Sequence, residues 1–208
     1  MATRKLFLIV GVCSIIFLTG FIGCLGTSKP INYYVMTPIE DAGPETETPQ
    51  GDGGPAIGMG PVKMPLYLDR QQIITRNTPN QIETAEFHQW AEPLKNNIVR
   101  VLAENLSILL DSQHVLMYPY SKQARVEFQV PISVMQFDAH PGRDIRLKAR
   151  WAIIRETDKE MLMIKVSEFT VPYDTTGYPA LAAGHSEALA ELSREIAREV
   201  QRLYEQEH

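Results

Sequence analysis

Three long alternating segments in the second half of the chain restrict its fold more than any other feature. From Ala124 to Phe137, Val126, Phe128, Val130, Ile132 and Val134 alternate with Glu127, Gln129, Pro131 and Ser133. That period of two belongs to a strand with one buried face. His140-Pro141-Gly142 then turns the chain, and Ile145, Leu147, Ala149, Trp151 and Ile153 alternate against Arg146, Lys148 and Arg150. Thr157-Asp158-Lys159 makes a second turn, and Met161 to Tyr173 returns as a third strand. Strands joined by turns this short run antiparallel. The result is a meander with one greasy and one wet face, and the greasy face needs a cover.

Two amphipathic helices supply it. Leu94, Ile98, Val101, Leu102, Leu106 and Leu109 recur at three- and four-residue spacing, with Pro93 where a helix start tolerates proline. From about Tyr178 to Glu205, Ala188, Leu189, Leu192, Ile196, Val200 and Leu203 share one face, and Gly184 is the weak point of that helix. Further β signals come earlier: Ile31 to Met36, Ile57 to Leu68 (interrupted by Gly58, Gly60 and Pro61), Gln72 to Arg76, Gln81 to His88, and the short run His114 to Tyr118. The stretch Met64–Arg76 reads as a strand, a charged turn at Asp69-Arg70 and a second strand, with Gln72–Arg76 paired to Ile57–Leu68. The expected class is α+β: a mostly antiparallel sheet with the two helices packed on one face. Residues 38–55, rich in Pro, Gly, Glu, Asp and Thr, read as a mobile acidic loop within that single domain, disordered or functional.

The N-terminus has its own logic. Arg4-Lys5 precedes an apolar run from Leu6 to Phe21, the charged and hydrophobic regions of an export signal. Phe21-Ile22-Gly23-Cys24 resembles a bacterial lipobox, which implies a signal peptide over residues 1–23 and acylation of Cys24. A plain signal anchor with a buried cysteine is the competing reading. Cys13 fails the lipobox test because bulky Val12 precedes it. Several acyl chains, at about 0.8 kcal/mol per buried CH₂, hold a protein to a membrane essentially permanently. Residues 24–30 then form the acylated cysteine and a tether. By resemblance to the sorting rules of double-membrane bacteria, Leu25 implies delivery to the outer membrane, with the 31–208 domain facing the periplasm.

Composition removes other classes. The 208 residues carry a formal net charge of −5, and cleavage would remove Arg4 and Lys5 and make the chain more acidic still, which argues against nucleic acid. Both cysteines, Cys13 and Cys24, lie near the N-terminus, so the domain holds neither a disulfide nor a cysteine metal site. His88, His114, His140, His185 and His208 show no metal spacing, and neither a phosphate-binding loop nor a nucleophile elbow is present. Asp138 and His140 flank a turn, where a solvated surface pair is the plainer reading than a catalytic one. The expectation is a non-enzyme, with no metal and no cofactor beyond the lipid on Cys24.

Pro65-Leu66-Tyr67-Leu68-Asp69-Arg70, Gln72-Ile73-Ile74 and Arg76, followed by Trp90-Ala91-Glu92-Pro93-Leu94, resemble the signature of the ABC-type transport auxiliary lipoprotein family. The resemblance extends from Tyr33-Tyr34 to Ser193-Arg194-Glu195-Ile196-Ala197 in the last helix. Its members accompany MCE-domain lipid transporters, and one lies in the paraquat-inducible operon. The resemblance implies a non-enzymatic outer-membrane lipoprotein that docks the periplasmic MCE component, supports envelope integrity and assembles into a homo-oligomeric ring. A free-standing lipid carrier and an envelope hydrolase are the alternatives. Asp69, Arg70 and Arg76 form the most distinctive charged group, either a partner contact or a structural network. Tyr67, Trp90 and Trp151 read first as core aromatics, and Arg146, Lys148 and Arg150 as a solvated basic stripe that an acidic partner or phosphate group is able to meet.

Overall fold

Strand β6 (Phe128–His140) organises the sheet because it has different neighbours along its two halves. The computed structural model describes residues 29–40, 54–121, 123–173 and 177–208. The export segment, Cys24 and residues 41–53 of the acidic loop therefore lie outside the described residues. Within Ile31–His208, β6 pairs antiparallel with β7 (Asp144–Arg155), and β7 pairs antiparallel with β8 (Met161–Pro172). This is the meander that the alternation predicts.

The other side of β6 is divided. Its first half runs parallel to β2 (Ile57–Lys63), which runs parallel to β5 (Val115–Met117). Its far end meets β3 (Gln72–Thr78) where Thr75 pairs with Ala139. Strand β3 forms an antiparallel hairpin with β4 (Gln81–Trp90), and β4 runs parallel to β1 (Asn32–Tyr34). The expected mostly antiparallel sheet is thus corrected to a mixed one. Among the described residues, four of the seven strand pairings are parallel. Alternation specifies which side chains are buried but not the direction of the neighbouring strand. Parallel partners need long crossovers, and here the β3–β4 hairpin and a helix separate β2 from β5.

Two further expectations fail beside β2. Met64–Leu68 is not a strand, and β3 pairs with β4 and β6 rather than with β2. Pro65 has no N–H for a ladder. The chain instead makes successive turns, with Leu68 N–H donating to Pro65 O at 3.0 Å and Asp69 N–H to Leu66 O at 3.2 Å. These turns tuck Leu68 into the core and leave Asp69 and Arg70 outside.

Helix α1 (Leu94–Leu109) lies on β2 and β5, helix α2 (Tyr178–Glu207) on β7 and β8, and the two helices pack on each other. The predicted stripes are the buried ones, apart from Leu109, which is exposed. Trp151, Phe128 and Phe137 fill the space beneath, each contributing roughly 1.5–3 kcal/mol by burial. Trp151 keeps its polar atom satisfied by donating Nε1–H to Ser167 Oγ at 2.9 Å. A polar tie crosses the helix pair: Asn105 Nδ2 donates to Ser193 Oγ at 3.0 Å, and Asn105 Oδ1 accepts Ile39 N–H at 2.8 Å. Gly184 lies against β7, where a Cβ would sit 2.8 Å from Ile145 Cγ1. No described helix is long and apolar enough to cross a membrane.

Candidate functional site

Because side chains alternate along a strand, Phe137 faces the helices and Asp138 the opposite side of β6. The Thr75–Ala139 pairing brings Arg76 of β3 alongside Asp138. Arg76 donates from Nε to Asp138 Oδ2 at 2.9 Å and from Nη2 to the same oxygen at 2.7 Å. Tyr67 joins them: its hydroxyl donates to Asp138 Oδ2 at 3.3 Å and accepts from Arg76 Nη2 at 3.3 Å. Arg76 Nη1 donates to Pro79 O at 3.0 Å, and Gln136 Nε2 donates to Asp138 Oδ1 at 2.8 Å. The guanidinium also lies over the Tyr67 ring, 5.6 Å from its centroid.

The electrostatics follow from burial. The Asp138 side chain is 0% exposed and that of Arg76 only 16%. The hydrogen bond to Asp138 pushes Arg76 further above its usual range, so it stays cationic. Burial pushes the Tyr67 phenol up, and the Asp138 charge adds to the effect, so Tyr67 remains a neutral donor.

Beside this cluster lies a cavity of about 490 Å³, lined by Tyr67, Arg76, Thr78, His140, Arg143 and Arg146 among others. His140 Nδ1 lies 2.9 Å from Asp144 Oδ1, and Arg146 Nε donates to that same oxygen at 3.1 Å. A second cavity, of about 570 Å³, opens between β2, β5 and α1. Met59, Pro61, Val62, Met117 and Tyr118 give it an apolar wall, and Met117 and Tyr118 are half exposed.

The structure divides the predicted residues into two sets. Arg76 and Tyr67 meet at the network, whereas Asp69 and Arg70 stay exposed on the turn before β3. The expected Asp69-Arg70-Arg76 group is therefore not one cluster, since the carboxylate of Arg76 is Asp138, from another strand. Trp90 and Trp151 are core aromatics, and Trp90 meets His185 edge-on at 5.3 Å between ring centroids. In the basic stripe, Arg146 pairs with Asp144 and Lys148 with Glu168, while Arg150 is exposed. Asp138 and His140 share a strand face but have separate partners, Arg76 and Asp144, and no serine joins their contacts among the described residues. Nor do the described residues contain a group of three or more His, Cys, Asp or Glu able to hold a metal ion. Sequence reasoning missed Asp138 as a buried counter-ion, Arg143 as a cavity residue, and the buried His185. The signal for Asp138 was faint: it is a carboxylate between apolar Phe137 and Ala139 near a strand end.

Known proteins show the same fold. An uncharacterized protein superposes with a TM-score of 0.67 at 16% identity, covering 83% of this chain and 99% of its own. A Xanthomonas campestris protein assigned to family DUF330 gives 0.60 at 14% identity, covering 80% of this chain and 92% of its own. No curated protein matches the sequence. The family model for the ABC-type transport auxiliary lipoprotein component matches residues 34–197, from β1 to deep within α2. That span takes in the hairpin, the meander, α1, the first two-thirds of α2 and the Tyr67–Arg76–Asp138 network, and the chain belongs to the ABC-type transport auxiliary lipoprotein family.

Proposed function

We propose that this protein is a non-enzymatic accessory subunit of an MCE-type lipid transport system, held to the outer membrane by acyl chains on Cys24 and facing the periplasm. The observation that carries the reading is the family match over residues 34–197, which describes a lipoprotein component of ABC-type transport. The lipobox-like Phe21–Cys24 and Leu25 supply the anchor and its destination. The surface offers places to dock. Strand β8 pairs only with β7 among the described residues, and its outer face exposes Ile164 and Val166. An open strand edge with apolar side chains is a template for another chain. Asp69 and Arg70 are the contact half of the predicted charged group, whereas Tyr67 and Arg76 serve the fold. A homo-oligomeric ring belongs to the same proposal.

The apolar-walled cavity between β2, β5 and α1 favours a second reading, a lipid-binding carrier with Met117 and Tyr118 against an acyl chain. One purification separates the two. The full-length lipoprotein is extracted from its own membranes in mild detergent, and the accompanying proteins and extractable lipids are identified by mass spectrometry. A stoichiometric MCE-domain protein, lost in an Asp69→Ala/Arg70→Ala variant that still folds, supports docking. Stoichiometric phospholipid without such a partner supports the carrier. Cys24→Ser should abolish incorporation of radiolabelled palmitate into the protein, and unchanged labelling would remove the lipid-anchor part of the proposal.

A further inference from the structure

The outer face of the sheet carries a feature that the accessory role leaves unused. The cavity beside Arg76 collects side chains from several segments, among them Asn77 and Thr78 at the end of β3, Gln136 and His140 on β6, Arg143 in the β6–β7 turn, and Arg146 on β7. Three guanidiniums, those of Arg76, Arg143 and Arg146, line it, and the carboxylates bound to them are Asp138 and Asp144. The surroundings are therefore cationic in a protein whose net charge is −5.

The three arginines are engaged to different degrees. Arg76 is nearly saturated by Asp138, Tyr67 and Pro79. Arg146 gives only Nε to Asp144, so its two Nη groups are unclaimed among the described residues. Arg143 makes no side-chain bond to a described residue, although its backbone N–H closes the turn on His140 O at 3.0 Å. Asp144 is turned to His140 and to Arg146 Nε. Two guanidinium forks with free donors thus border one concave space, with a hydroxyl and a side-chain amide on another wall.

We propose that this cavity is a binding site for a phosphate group. Arg143 and Arg146 grip its oxygens, Thr78 and Asn77 hydrogen-bond to it, and Arg76 is a positioning residue that holds the wall through Asp138. A planar carboxylate satisfies one fork. A tetrahedral phosphate presents acceptors in several directions and engages both forks together. The ligand class is a molecule with an accessible phosphomonoester or phosphodiester, chemistry shared by free phosphate and a phospholipid headgroup. The inference stands on the cavity and does not depend on which transporter the protein serves.

The test is equilibrium dialysis of the full-length protein in nonionic detergent. The probes are radiolabelled inorganic phosphate and, separately, the deacylated headgroup glycerophosphoglycerol. Saturable binding that weakens with salt, and that acetate at equal concentration does not displace, is expected. Arg146→Gln should weaken it by about five-fold or more, and Arg143→Glu, which reverses the charge, should remove it. Arg143 has no side-chain partner to lose among the described residues, so the Arg143→Glu variant should unfold at the wild-type temperature. Headgroup binding about ten-fold tighter than phosphate assigns the site to lipid, while equal binding assigns it to the phosphate group alone; either supports the proposal. Three results overturn it: no saturable binding of either probe, equal displacement by acetate, or wild-type binding by Arg143→Glu.

Discussion

Arg76 and Asp138 stand 62 residues apart in sequence, yet two N–H groups of the arginine, at 2.9 and 2.7 Å, converge on one carboxylate oxygen. The pair ties β3 to β6 at a place where the two strands share a single register pair, Thr75 with Ala139. The guanidinium thus substitutes for the missing length of ladder and holds the β3–β4 hairpin to the meander.

Breaking this pair from one side should be costly. Arg76→Ala leaves the Asp138 charge buried without its counter-ion, and a loss of about 3–5 kcal/mol in urea unfolding is expected. Tyr67→Phe removes only a hydroxyl and should cost about 1 kcal/mol. Replacing both charges with apolar residues, as Arg76→Leu/Asp138→Leu, should be less damaging than Arg76→Ala alone. If Arg76→Ala proved as stable as wild type to within about 1 kcal/mol, the clamp would have no structural role.

His185 makes stability fall in acid. Its ring is buried against Trp90 and Phe137, and Nδ1–H donates to Leu181 O at 2.8 Å. Burial drives its pKa down from 6.5 to about 4, outweighing that hydrogen bond and the more distant Asp138 charge. Between these values the unfolded chain holds the extra proton, so stability rises with pH. The full contribution is present above pH 6.5, and about 3 kcal/mol is lost as pH falls to about 4 and below. Urea midpoints taken across this window should slope in the wild type and flatten in His185→Leu. An unchanged slope in the variant would assign the acid sensitivity to other groups.

Gly184 reverses an expectation from helix propensity. In an isolated helix, Gly184→Ala would be stabilising by about 1 kcal/mol. Here the new Cβ would meet Ile145 Cγ1 at 2.8 Å and force α2 away from β7, so a net loss of about 1–3 kcal/mol is expected. In an Ile145→Ala background the same substitution should cost much less, because the clashing atom is gone. A thermal-unfolding double-mutant cycle with no coupling would rule out close approach as the reason for glycine at this position.

How much was legible depended on the range of each interaction. Val126 to Val134 and Ile145 to Ile153 announced β6 and β7 because a strand's burial pattern is written residue by residue. The apolar faces of α1 and α2 were equally plain, and so was the cover they provide. Strand order was not. Ile73 and Ile74 read as β residues, but nothing local distinguishes a partner in β2 from partners in β4 and β6. The site was hidden for the same reason. Arg76 sits beside Asp69 and Arg70 in sequence, and its true carboxylate belongs to a strand that only the folded sheet brings near.

By itself, then, the sequence determined the family, the α+β class, the two covering helices and the antiparallel meander. These follow from short-range periodicity and from motifs read along the chain. Tertiary structure alone decided that the sheet is mixed, that Arg76 answers Asp138, and that Arg143 and Arg146 share a cavity with it. Such pairings are contests between distant segments for the same buried space. Their outcome depends on how every strand and helix packs together, which no window along the chain contains.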